Sequence, residues 1–158
     1  MYKKGLGVPQ SDALAVKWYR KAADQEVAVA QCNLGSMYKL GSGGLPQSDV
    51  LAVMWFRKAA DQGQSHAQLL LGCMYTEGKG GLPQNDILDM DWYRKAADQG
   101  VAQAQTYLGI MYQNGEGGLP QSNVLAMKWY QKAADQGHVE AQQNLLAMLE
   151  LKKILTLY

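Results

Sequence analysis

Four sets of residues in this chain have types and spacing that could do chemistry. Ser36-Met37-Tyr38-Lys39 fits S-x-x-K, the spacing at which a serine nucleophile meets a lysine. Cys32 and Cys73 could supply thiolates or a disulfide, and His66 and His138 could supply imidazole ligands. Asp86, Asp89 and Asp91 place three carboxylates on one short segment, Asp86 and Asp89 at i, i+3. Each set has to be weighed against the elements that would hold it.

Those elements are dictated by an octapeptide. WYRKAADQ starts at Trp18, WFRKAADQ at Trp55, WYRKAADQ at Trp92 and WYQKAADQ at Trp129, always 37 residues apart. A period in this range marks a repeat array, in which each repeat is one supersecondary unit that needs neighbours to bury its apolar side. The second copy serves as the pattern. Gly43, Gly44 and Pro46 are turn chemistry, and Ser48 or Asp49 is placed to cap a helix N-terminus. Ala52, Trp55, Phe56 and Ala59 then recur at helical spacing until Gly63, which suits a left-handed helix end.

A second helix follows, with Ala67, Leu71, Met74 and Tyr75 on one face and Gly78 as its stop. The first type of helix, A, is expected over 12–24, 49–61, 86–98 and 123–135. The second type, B, is expected over 28–40, 65–77, 102–114 and from 139 onward. Gly35, Gly72 and Gly109 lie inside B helices, where glycine costs about 1 kcal/mol relative to alanine. The expected compensation is close approach to a bulky aromatic on a helix A.

The motifs lose their chemistry in this frame. Ser36 falls inside a B helix at the packing register of Cys73, Ile110 and Ala147, and neither S-D-N nor K-T-G occurs. The two histidines sit in different registers near the starts of different B helices, as surface or capping residues. The Gly-rich loops lack the G-K-[ST] of a phosphate loop. Met37, Met74, Met111 and Met148 form a core stripe at solenoid spacing. Lys21, Lys58, Lys95 and Lys132, beside Arg20, Arg57 and Arg94, form a basic row. Each Lys has Asp24, Asp61, Asp98 or Asp135 at i+3, which predicts a self-neutralised, solvated face. No catalytic, cofactor-binding or metal residues are expected, no cofactor, and no enzyme.

The order Ala-x-x-Leu-Gly-x-Met-Tyr, Gly-x-Gly-Gly-Leu-Pro-Gln and Ala-x-x-Trp-Tyr-x-Lys-Ala-Ala-x-x-Gly resembles the SLR (Sel-1-like repeat) family, a relative of the tetratricopeptide repeats. The resemblance spans nearly the whole chain. It implies an all-α fold, an α/α solenoid with a right-handed superhelix of about four 37-residue helix-turn-helix repeats. It also implies an adaptor that binds a protein or peptide segment on a concave face lined by the A helices. Some cysteine-rich members of the family are associated with binding or hydrolysing β-lactams. They carry two cysteines in each repeat, whereas Cys32 and Cys73 lie in different repeats at non-equivalent positions. Neighbouring B helices are roughly 8 to 10 Å apart, beyond the reach of a disulfide, so both are read as buried hydrophobes.

Near balance of Lys plus Arg (15) with Asp plus Glu (14) gives no field for nucleic acid. No apolar run reaches the roughly 18 to 20 residues of a membrane helix, so no membrane insertion is expected. Positions where the copies differ are then the candidates for partner binding: Lys17, Met54, Asp91 and Lys128 at one helix A register, and Asp89 in place of Ala15, Ala52 and Ala126. The chain reads as one array over 1–158, with helix pairs over 8–44, 45–81, 82–118 and 119–158. Its opening MYKKGLGVPQS aligns with Met37–Ser48, so residues 1–7 read as the tail of a preceding repeat. Localisation stays unknown on that reading, because a signal peptide could lie upstream. The last B helix lacks its stop glycine and should run to about Leu155. Leu151, Ile154, Leu155 and Leu157 make it apolar enough to fold over the array or to form a homodimer.

Overall fold

The computed structural model describes residues 11–155. They form eight α-helices: α1 (Asp12–Ala23), α2 (Ala28–Leu40), α3 (Asp49–Asp61), α4 (Ser65–Thr76), α5 (Asp86–Asp98), α6 (Ala102–Asn114), α7 (Asn123–Asp135) and α8 (Val139–Leu155). Odd numbers are A helices and even numbers B helices. Every expected end falls within one residue of the observed one, and α8 runs to Leu155 as its missing stop predicts. The segment 1–7 and Leu157 lie outside the described residues.

The A helices start where the caps put them. The hydroxyls of Ser11, Ser48 and Ser122 accept from the backbone N–H three residues on, each at 3.3 Å. Asn85 does the same with both Ile87 and Leu88 at 3.0 Å. These bonds satisfy donors that the first helical turn leaves without an intrahelical partner.

The chain divides into two compact units, residues 1–84 with α1–α4 and residues 85–158 with α5–α8. In the first, α2 packs more extensively on α3, across the Gly-Pro loop, than on α1. Gly35 explains this approach: a Cβ there would stand 2.8 Å from the Phe56 ring. In the second unit α6 packs on α7 in the same way, and a Cβ at Gly109 would lie 2.4 Å from the Tyr130 ring. Close approach was expected. The structure adds that the aromatic is on the following A helix, and that it is the Phe or Tyr of the octapeptide and not its Trp. Phe56 and Tyr130 are both 0% exposed, each removing roughly 2–3 kcal/mol worth of apolar surface from water.

The core methionines Met37, Met74, Met111 and Met148 are all buried. Three B helices also bury a glutamine. Buried Gln31, Gln68 and Gln105 donate through Nε2 to the carbonyls of Ala23, Ala60 and Ala97, at 3.1 to 3.3 Å. These carbonyls belong to the last turns of A helices, and each also accepts the backbone N–H three residues on, from Glu26, Gly63 or Gly100. Gln62 in turn donates to Gln31 Oε1 at 2.7 Å, and Gln136 to Gln105 Oε1 at 2.8 Å. In these two copies the final glutamine of the octapeptide ties its A helix to the B helix before it.

Candidate functional site

Each A helix carries a Trp at its rim with a cation upon it, and Trp129 also packs against the core of its unit. Trp18 is 46% exposed, and Trp55, Trp92 and Trp129 are partly exposed. The ammonium groups of Lys21, Lys58, Lys95 and Lys132 lie 5.7, 4.8, 4.0 and 4.0 Å from the centroids of the Trp rings three residues earlier. The expected Lys–Asp pairs at i+3 give way to these contacts. The reason is directional: helical side chains lean toward the N-terminus, which carries each Lys back over its Trp and away from the following Asp. Cation–π attraction then holds it there. A short ion pair instead joins Lys79 to Glu77 at 2.6 Å, and the hydrogen bond from Lys79 holds the Glu77 carboxyl below its ordinary range.

The arginines leave the row altogether. Arg20, Arg57 and Arg94 donate through Nη2 to the phenol oxygens of Tyr38, Tyr75 and Tyr112 at 2.8, 2.7 and 2.8 Å. Each bond joins helix A to helix B of one pair. In the last pair both members change together, to Gln131 and Leu149.

Lys17, Met54, Asp91 and Lys128 are all exposed, each one residue before a Trp of the row. Asp89 is not in that row. It stands in the register of the buried Ala15, Ala52 and Ala126 and is itself only 3% exposed, so its reading as an acidic contact for a partner is corrected. The register faces the packing side of the helix, and the substitution changes the chemistry of the interior.

Sequence reasoning missed a cleft in the first unit. It has a volume of about 500 Å³ and opens between the α1–α2 turn and α3. Trp55, Lys58, Asp24, Glu26 and Asp61 line it, together with the hydrogen-bonded Gln31 and Gln62. Glu26 adopts φ +62°, where the equivalent turns of the other repeats have Gly63, Gly100 and Gly137. In the second unit, an apolar cleft of about 320 Å³ lies against α8 and is lined by Val124, Met127, Met148 and Leu151.

The remaining chemical candidates are absorbed by packing. Ser36 donates to the carbonyl of Cys32 at 3.1 Å, four residues back in α2. Cys32 is a buried thiol whose pKa burial pushes up to about 11, whereas Cys73, expected to be buried, is only partly so; neither is in a disulfide. Thr106 donates to the Ala102 carbonyl at 3.0 Å, and its hydroxyl also lies in hydrogen-bond contact with His138 Nδ1 at 3.0 Å. Burial and Glu140 push Tyr130 up to about 12. Among the described residues no group of three or more His, Cys, Asp or Glu is arranged to hold a metal ion. No described helix is long and apolar enough to cross a membrane.

Comparison with known proteins places these features. The Sel1 repeat profile matches residues 1–27, 28–64, 65–101 and 102–138. Its phase takes a B helix with the following A helix as one repeat, the closely packed pairing seen for α2 with α3 and α6 with α7. No curated protein matches significantly. Among solved structures, a protective antigen of uropathogenic Escherichia coli with an SLR fold is similar, at 39% identity and a TM-score of 0.85. The match covers 93% of this chain and 31% of that one. A Sel1 repeat protein from Oxalobacter formigenes is 39% identical with a TM-score of 0.80, covering 91% of this chain and 58% of that one. The chain thus spans from a third to little more than half of these relatives. The Helicobacter pylori cysteine-rich protein B shares the fold at 22% identity and a TM-score of 0.64, covering 82% of this chain and 96% of that one.

Proposed function

The chain belongs to the Sel1 repeat family, whose solenoid-like repeats generally mediate protein interactions, and from that premise we propose that it is a non-enzymatic adaptor. It binds a segment of a partner protein along the concave face lined by its A helices. One observation carries this reading: the Trp row is held partly in water, with Leu14 at 42%, Trp18 at 46% and Met54 at 40% exposure in the first unit. Aromatic rings with a polar neighbour at solvent edges are the residues that dominate protein interfaces. Lys17, Met54, Asp91 and Lys128 vary in charge beside otherwise constant Trp–Lys pairs, and that variation selects the partner.

A photo-crosslinking residue at position 54 or 128 tests the reading against one at Val29 or His66, on exposed positions of B helices. The same partner should be captured from both A positions. Capture from B positions alone would discard the proposal. Met54→Glu and Asp91→Lys should then each weaken that partner's binding by about tenfold, a loss of roughly 1.4 kcal/mol.

A second reading rests on α8, which exposes Leu146 (60%), Leu149 (38%), Leu151 (58%) and Ile154 (54%). Such a face, continuous with a neighbouring apolar cleft, suits self-association through this helix. Light scattering over a hundredfold concentration range decides it: a mass fixed at 17.4 kDa removes the homodimer.

A further inference from the structure

The cleft of the first unit has a chemistry that the Trp row as a whole does not share. Its volume of about 500 Å³ is of the size that encloses a large side chain and its backbone. Its lining includes the partly exposed Trp55, whose ring meets the Lys58 ammonium at 4.8 Å. Asp24, Glu26 and Asp61 line it beside that single lysine, which leaves a net charge of −2 at neutral pH. Gln31, also in the lining, is held in place, because it is 3% exposed and bonded both to Ala23 O and to Gln62.

Glu26 separates this cleft from the rest of the framework. The three other turns at this position carry glycine at φ +84° to +89°, and Glu26 alone holds a side chain in the left-handed region. An L-residue is disfavoured there, so an acidic residue lines this cleft at a conformational cost.

We propose that this cleft takes an arginine side chain from the segment bound along the A helices, an inference that rests on the adaptor reading above. A guanidinium is flat, so it stacks on an indole. Its forked N–H groups meet a carboxylate in pairs. An ammonium can meet the indole as Lys58 does but lacks the forked donors and the flat face, and an uncharged urea analogue has no ionic attraction to the three acidic residues.

The test uses the whole chain and three blocked tripeptides, Ac-Gly-Arg-Gly-NH2 and its lysine and citrulline counterparts. Indole Nε1–H signals are followed by NMR and assigned by changing each Trp to Phe. The arginine peptide should shift the Trp55 signal saturably and leave Trp129 in place, with at least fivefold weaker binding of the other two. Glu26→Gly removes one carboxylate while restoring the residue of the other turns. Its melting temperature should hold or rise while arginine binding falls at least threefold, so the loss cannot come from unfolding. Equal binding of all three peptides, an unmoved Trp55 signal, or unchanged binding in Glu26→Gly would each overturn the proposal. The crosslinking result at positions 54 and 128 stands or falls separately, so failure of the arginine site is distinguishable from failure of the adaptor reading.

Discussion

Arg57 Nη2 donates to the phenol oxygen of Tyr75 at 2.7 Å, and with it α3 is fastened to α4 by one charge-assisted hydrogen bond. The Arg57 guanidinium also lies 5.9 Å from the Tyr75 ring centroid. Tyr75→Phe keeps the ring and removes the acceptor. It should cost about 1–2 kcal/mol by urea unfolding, because a hydrogen bond to a charged group is stronger than a neutral one. Arg57→Gln with Tyr75→Leu copies the last helix pair and should cost less than the sum of its two single changes.

The glycine registers give a contrast within one sequence. Gly109→Ala drives a Cβ to 2.4 Å from Tyr130 and should destabilise by about 2–3 kcal/mol through overpacking. At the same register of α8, Leu146 is 60% exposed, so Leu146→Gly should cost only about 1 kcal/mol of helix propensity. Thermal unfolding of the two variants side by side checks the order. Equal losses would mean that the Gly109 contact does not hold α6 to α7.

Glu26 should respond to glycine in the opposite sense. With φ at +62°, Glu26→Gly should stabilise by about 1 kcal/mol, and Gly63→Glu should destabilise by a similar amount. A paired measurement of unfolding midpoints in urea is enough, and a loss of stability in the first variant contradicts the strain argument.

Alkaline pH should weaken the fold through Cys32. Its thiol is pushed from 9.0 to about 11 by burial, so between those values the unfolded chain has released a proton that the folded chain retains. Stability is therefore intact below pH 9 and falls as pH rises toward about 11. Tyr130, raised from 10.0 to about 12 chiefly by burial, extends the decline upward. Melting temperatures from pH 8 to 11 should drop, and Cys32→Ala should flatten the part between 9 and 11. At neutral pH a thiol reagent should modify Cys73 well before Cys32.

What the sequence determined alone was the periodic part of the structure. Helix ends were legible because Ser11, Ser48, Asn85 and Ser122 are local caps, and because glycines such as Gly63 and Gly78 accept positive φ. The outward register of Lys17, Met54, Asp91 and Lys128 was legible for the same reason, since it needs only the turn of one helix. Tertiary structure decided everything that depends on which helix lies opposite. Asp89 was placed on the surface by its charge, yet its register is set by packing that admits Ala in three other copies. Lys21, Lys58, Lys95 and Lys132 had two candidate partners at three residues' distance, and side-chain direction chose the Trp behind over the Asp ahead. The Arg–Tyr bonds span 18 residues and the Gln–Gln bonds 31, separations at which a repeat shows that something recurs without showing what it touches. The cleft beside Trp55 belongs to that second class, because it exists only where the turn after α1 meets the flank of α3.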